Sequence, residues 1–288
     1  TDKDRTVGIF YVTWHTQGLH DGKEYRADVS RVLAQDPYAS RNNDSPAWTK
    51  SSYHWGEPEW GYFLSQDEYV IRKDMSMLTD AGVDMIIFDV TNAVLYWDEW
   101  AVTLRTMAQM KKEGNKVPKF CFWAFNGNVI TVVHQLYDKY YKNPQYQDLW
   151  FYWDGKPLLL YNATPSVDAN VGGGEKNLAD YSDEVKQFVT LRNMWWGYYE
   201  WAGNRYVGTE GNWSFGLQLN DKKVAAMKPE QLAATWKGRY EQMSVTPAQH
   251  PITNVGKSWS RNGGQPKLDI CDMPIKAKVP FMDNKECL

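Results

Sequence analysis

Continuous apolar runs alternate along the chain with stretches of helical periodicity. VGIFYVTW (7–14), MIIF running on to Asp89 (85–90), KFCFWAF (119–125) and GKPLLLYN (155–162) are strand-length runs with few polar interruptions. Between the first two, Ser65-Gln66-Asp67-Glu68 reads as a helix start, and Ile71, Met75 and Leu78 recur at three- to four-residue spacing until Ala81-Gly82. A second helix spans roughly 98–113, with Trp100, Leu104 and Met107 on one face and Gly114-Asn115 as its stop. NVITVVHQLYDKYYKN places Ile130, Val133, Tyr137 and Tyr140 in helical register. A shorter helix is predicted near Ser30 to Gln35.

Strands that are apolar throughout are covered on both faces, and strand-then-helix repetition predicts a parallel α/β architecture. No GxGxxG or GxxxxGK[ST] opens a helix, so a nucleotide-binding doubly wound sheet gives way to a (β/α)8 TIM barrel. Six strands are predicted, at 7–14, 85–90, 119–125, 157–161, 187–193 and 242–246. A full barrel needs eight, so the expectation is one domain over 1–288 whose barrel can be incomplete in this chain, with long βα loops. Residues 16–69 are the longest excursion, rich in Trp, Ser, Asn, Pro and Gly, as a functional loop region would be.

Composition narrows the chemistry. Lys plus Arg number 32 against 35 Asp plus Glu, with no basic block, so no nucleic-acid partner is expected. No apolar run reaches the ~18 residues of a membrane span. Of the aromatics, 15 are Trp and 18 are Tyr, and many Trp stand beside polar residues, as in HWGEPEWGY, YWDEW, FYWDG and MWWGYYEWAG. Flat rings beside carboxylates and amides suit sugar faces; the alternative is that they pack under loops. Cys121, inside a strand run, reads as core. Cys271 and Cys287 could close one late loop, and no CxxC is present.

In a parallel barrel the active site forms at the C-terminal strand ends. Residues expected there are Trp14 and His15, Asp89 and Asn92, Trp123 and Asn126, Tyr161 and Asn162, Glu200, then Gln249 and His250. Asp89 either caps the next turn through backbone N–H groups or does chemistry. Paired carboxylates can cleave a glycosidic bond, one protonating the leaving oxygen and the other attacking the sugar or activating water. Asp89 and Glu200 are the first candidate pair, since Glu200 lies among aromatics that would favour its acid form in a dry site. Glu57 and Glu59 in HWGEPEWGY are the alternative catalytic carboxylates, and His54 and Trp55 beside them are candidate substrate contacts. Asp98 and Glu99 read as a helix start, and Asp154 as the Asp154-Gly155 turn. No HxH or HExxH supports a metal site among His15, His54 and His250, no GxSxG marks a serine nucleophile, and no cofactor is expected.

FYVTWH and HWGEPEWGYFLSQDEYVIRKDMSMLTDAGVDMIIFDVTN resemble the front half of glycoside hydrolases of the endo-α-mannosidase and α-1,3-glucanase kind, and more closely the bacterial GH71/GH99-like group. The shared features fall at Tyr11 to His15, Gly61 to Asp67 and Ala81 to Asp89, with GKPLLL (155–160) and AQHPITNVGKSW (248–259) further along. The resemblance implies a (β/α)8 barrel, a carbohydrate substrate and a secreted or periplasmic location. It also implies a further aromatic strand, of the TGWNEW kind, that does not occur in these 288 residues. The endo-mannosidases carry their catalytic glutamates after an inner strand, whereas FCFWAFNGN offers Asn126 there and no carboxylate, so that pair does not carry over. The expected activity is glycoside hydrolysis of a polysaccharide or oligosaccharide, its sugar, linkage and the oligomeric state left open. The alternatives are a non-catalytic carbohydrate-binding barrel, or a metal-dependent hydrolase or lyase.

Overall fold

The computed structural model describes residues 5–16, 19–20, 23–24, 26–52, 54, 57–91, 93–125, 128–162, 180–196, 208–215 and 226–244. These form two compact units, one reaching up to Trp14 and resuming from Gln66 to Ser244, the other within His15–Ser65.

In chain order the elements are β1 (Gly8–Tyr11), β2 (Leu19–His20), β3 (Lys23–Glu24), α1 (Val29–Gln35), α2 (Glu68–Asp80), β4 (Met85–Thr91), α3 (Trp97–Lys112), β5 (Lys119–Phe125), α4 (Val129–Leu136), β6 (Tyr152–Trp153), β7 (Lys156–Tyr161), α5 (Asp183–Phe188), β8 (Thr190–Trp196), β9 (Asn212–Phe215), α6 (Pro229–Leu232), β10 (Ala234–Trp236) and β11 (Arg239–Gln242).

Six strands pair in parallel in the order β1-β4-β5-β7-β8-β9, and β6 joins β7 antiparallel. Each parallel strand lies beside the next one in the chain, with no reversal of order. A doubly wound sheet reverses at a switch point; a barrel does not. The sheet is curled and open, a half-barrel. Its curl can be read from one contact. Phe10 on β1 and Phe215 on β9 bring their ring centroids within 4.5 Å. In a flat sheet, strands five steps apart would be separated by about 24 Å.

The alternation of side chains divides the core. Ile86, Phe88, Val90, Phe120, Phe122, Leu159 and Tyr161 face outward against helices, with Trp100, Leu104 and Met107 of α3. Trp100 is fully buried, edge-on to Phe122 at 5.0 Å, and Tyr140 stacks on Phe122 at 5.3 Å. Such ring pairs add about 0.5–1.5 kcal/mol each beyond their buried area. Met85, Ile87, Cys121, Trp123, Leu158, Leu160, Met194 and Trp213 face inward. This two-sided burial is why β4, β5 and β7 read as unbroken apolar runs.

Local chemistry fixes the element ends. Asp67, rather than Ser65, caps α2, its carboxylate accepting from the Tyr69 and Val70 N–H groups at 2.9 and 3.3 Å. Asp98 and Glu99 lie in the first turn of α3, and Lys111 and Lys112 in its last, each matched to the helix dipole. Asp154 (φ 50°) and Gly155 (φ 78°) make the two-residue turn between β6 and β7, and Lys237 (φ 49°) and Gly238 (φ 74°) the turn between β10 and β11. Two consecutive positive φ values define the hairpin turn whose twist matches paired strands.

Two predicted strands are corrected. Residues 187 and 188 close α5, and the strand there is Thr190–Trp196. Of the described residues 242–244, only Gln242 is in a strand, at the end of the antiparallel β10–β11 hairpin; 245 and 246 lie outside the described residues. The sixth parallel strand is Asn212–Phe215.

The second unit packs Val32, Ala39 and Ala47 into a small core. Asp28 caps α1 by accepting from Arg31 N–H at 3.2 Å, and Trp48 donates its indole N–H to the Ala39 carbonyl at 3.0 Å. The unit is closed at its base: His15 N–H donates to the Ser65 hydroxyl (3.1 Å), and Ser65 N–H donates to the His15 carbonyl (2.7 Å).

Candidate functional site

Asp89 is the fifth of seven residues in β4 and faces inward between Ile87 and Thr91, opposite Trp123 of β5. It is 1 % exposed. Its Oδ1 accepts the Thr91 backbone N–H at 2.9 Å, and its Oδ2 accepts the indole N–H of Trp14 at 2.5 Å. The two oxygens therefore have different partners: one orders the strand end, while the other is tied to a half-buried aromatic just beyond β1.

Burial pushes the Asp89 carboxyl above the ordinary carboxylate range, although the Thr91 backbone and hydroxyl and the Trp14 indole pull against it. A carboxyl so placed holds its proton to higher pH than a surface aspartate and can donate it to a neighbouring oxygen.

Neighbouring strand ends are described in part. Trp123 is fully buried and donates its indole N–H to the Met194 carbonyl at 3.0 Å, packing the inner layer with Phe10 and Phe215. Asn162 is buried and extends the β7 ladder by donating its N–H to the Ala124 carbonyl at 2.9 Å. Tyr161 packs edge-on to Tyr181 at 5.4 Å, and burial pushes its hydroxyl up to about 12.

In the second unit, His15 is half-buried and edge-on to Phe63 at 4.8 Å; burial first, then the Arg26 charge, lowers its pKa. His54 stacks on Trp48 at 4.9 Å with its Nδ1 bonded to the Ser52 carbonyl at 2.7 Å. Glu57 and Glu59 are exposed. Glu200, Trp55, Asn92, Asn126, Gln249 and His250, and likewise Cys271 and Cys287, lie outside the described residues. Among the described residues, no group of three His, Cys, Asp or Glu could hold a metal ion. No helix among them is long and apolar enough to cross a membrane.

A second polar cluster was not singled out from the sequence. Arg192 on β8 and Glu241 on β11, each 5 % exposed, form a two-pronged pair in which Nε donates to Oε2 and Nη2 to Oε1, both at 2.9 Å. Glu241 also accepts the indole N–H groups of Trp153 (2.5 Å) and Trp213 (2.8 Å), so each carboxylate oxygen takes two bonds. Arg192 Nη2 further reaches Asp154 Oδ2 at 2.5 Å, and its guanidinium lies 4.1 Å from the Trp236 ring centre. Burial raises the Glu241 pKa and lowers that of Arg192, but their mutual bonds outweigh it, leaving Glu241 lowered and Arg192 raised. The signal was present in TLRNMWW: an arginine at an inward position of an apolar strand requires a buried partner. The cluster sits where β7, β8 and β9 begin, the end of a barrel that serves stability.

No family model and no curated protein matches the chain. Among solved structures, the GH99 endo-alpha-mannosidase of Bacteroides thetaiotaomicron in complex with bis-tris-propane is similar at 18 % identity and a TM-score of 0.40, over 66 % of this chain and 52 % of that one. A second structure of that enzyme is similar at 17 % identity and a TM-score of 0.40, over 66 % and 55 %. The chain thus spans about half the length of the structures it matches. The similarity is distant.

Proposed function

We propose that the protein is a glycoside hydrolase acting on a polysaccharide or oligosaccharide, secreted or periplasmic, with Asp89 as the proton donor to the leaving oxygen. The observation that carries this is the Asp89 carboxyl itself. It is buried, raised in pKa, set by a rigid strand near its C-terminal end, and tied through Oδ2 to an aromatic ring. A sugar that displaces the Trp14 indole from Oδ2 would free that oxygen and remove a bond that favours the charged form. The first change opens that oxygen to the leaving group, and the second keeps the carboxyl protonated to higher pH. Glu200 is the proposed second carboxylate, attacking the sugar or activating water.

The test is a screen against plant, algal and microbial polysaccharides with product analysis, then Asp89→Asn and Glu200→Gln on the substrate found. Loss of a general acid is expected to lower turnover by about 10²–10⁴-fold. Turnover unchanged in Asp89→Asn refutes the assignment. Asn keeps an acceptor for only one of the Thr91 and Trp14 N–H groups and turns its NH2 toward the other, so a loss of about 1–3 kcal/mol in urea unfolding is expected and turnover is compared under conditions where both proteins are folded.

A second reading, a carbohydrate-binding barrel without hydrolysis, is favoured by the occupation of both Asp89 oxygens. Asp89 would then only hold Trp14 as a stacking platform. In that case no polysaccharide is cleaved, Trp14→Ala abolishes binding, and Asp89→Asn weakens it little.

A further inference from the structure

The FYWDG and TWKGRY turns meet around a cleft of about 280 Å³ whose wall includes Tyr152, Asp154, Trp236, Arg239 and Tyr240. Trp153 and Glu241 also line it, and both belong to the Arg192 cluster that holds the two hairpins together. We propose that this cleft is a second glycan-binding site, separate from Asp89, that takes one or two pyranose rings of a polysaccharide chain. The proposal rests on the glycan reading above for its ligand class, and on its own residues for its place.

The chemistry is that of a sugar platform. Tyr152 and Tyr240 are 49 % and 67 % exposed, and Tyr152 also meets the buried Trp150 ring at 6.3 Å. Trp236 is partly exposed and held in place by the Arg192 guanidinium against its ring. A preorganised indole loses little freedom when a sugar stacks on it. Polar partners for hydroxyls stand beside the rings. Asp154 Oδ2 accepts from Arg192, while its Oδ1 has no hydrogen bond among the described residues. Arg239 is exposed and makes no ion pair among them. The rings supply faces for C–H groups, and Asp154 and Arg239 an acceptor and a donor for the hydroxyls between them. Asp154 and Lys237, both at positive φ, put the two turns in tight two-residue hairpins.

The cleft borders the starts of the parallel strands, whereas Asp89 lies toward the end of β4. A polysaccharide held here would keep the enzyme on its substrate between cleavages, raising the local concentration of chain at the other site.

The test is native electrophoresis of the wild type, Tyr152→Ala, Tyr240→Ala and Tyr240→Phe in gels containing soluble mannan, arabinoxylan, laminarin or alginate, alongside turnover of short oligosaccharides in solution. The expected result is retardation of the wild type in at least one gel, weakened about tenfold by either alanine variant. Tyr240→Phe should bind as the wild type, because stacking needs the ring. Oligosaccharide turnover should be unchanged in all three variants. The cleft is overturned if no gel retards the wild type, or if both alanine variants migrate as it does. Loss of retardation in Trp14→Ala with full retardation in the tyrosine variants also overturns it, placing the chain at Asp89. The hydrolase reading stands or falls separately, on the turnover assay and on Asp89→Asn.

Discussion

Glu241→Gln should be among the most destabilising conservative substitutions in the protein. The glutamate accepts four hydrogen bonds in a nearly dry setting, two from Arg192 and one each from Trp153 and Trp213. Glutamine keeps one acceptor oxygen and turns the other into an NH2 group facing N–H donors. The exchange removes the charge that compensates Arg192 and leaves at least one indole N–H without an acceptor. Breaking a buried ion pair on one side costs about 3–5 kcal/mol. Arg192 keeps its contact with Asp154, whose side chain is 40 % exposed, so the lower end applies, about 3 kcal/mol. For a protein of this size that is a fall in Tm of about 6–12 °C. The assay is thermal and urea unfolding followed by tryptophan fluorescence and circular dichroism. Acid supplies a sign. Glu241 titrates below the ordinary value of about 4.3, so its contribution is whole above that pH and is lost as pH falls through the folded-state pKa. The difference between variant and wild type should therefore shrink in acid. A loss under about 1 kcal/mol at pH 7, or a difference that widens in acid, refutes the account of a buried, charge-compensated knot.

Three further outcomes follow from particular contacts. Tyr11 donates its hydroxyl to Asp74 Oδ2 at 2.8 Å, so Tyr11→Phe leaves a partly buried carboxylate short of a donor and should cost about 1–2 kcal/mol in urea unfolding. The Cys121 thiol is fully buried and burial raises its pKa, so it should resist alkylation in the native protein and react fully in denaturant, read by mass spectrometry. Trp14→Phe removes the indole N–H from Asp89 Oδ2 and favours the protonated carboxyl. The basic limb of the pH–turnover profile should move to higher pH, and a shift to lower pH would contradict the proton-donor role.

The inner strands were legible because burial on both faces leaves so plain a mark: β4, β5 and β7 fell within a residue or two of the predicted runs. NWSF was hidden because only Trp213 and Phe215 of its alternating residues face inward, and four residues between glycine-rich stretches carry little pattern. The predicted strand at 242–246 followed hydrophobicity past Gln242, whereas Lys237-Gly238 had already set a hairpin turn upstream. Aromatic composition was the least decisive guide. Trp100, Trp123 and Trp195 are core, while Trp14 and Trp236 are partly exposed, and both kinds sit in similar sequence. Asp89 stood out on paper as a carboxylate at the end of an apolar run. Its bond to Trp14, 75 positions away, needed the pairing of β1 with β4.

The meeting of Phe10 with Phe215 bears on how the chain reaches its native state. The two rings lie about 200 residues apart in sequence, yet within 4.5 Å in space. Contacts of such range form only after a large loop has lost its freedom, so they come late and slow the overall rate. During synthesis β1 can pair with β4 early, but the Phe10 ring must wait for Phe215 until the last strand of the sheet has left the ribosome. The inner aromatic layer thus acts as a completion signal for folding. It cannot be completed on a partial chain, because Phe215 lies on the last of the six parallel strands.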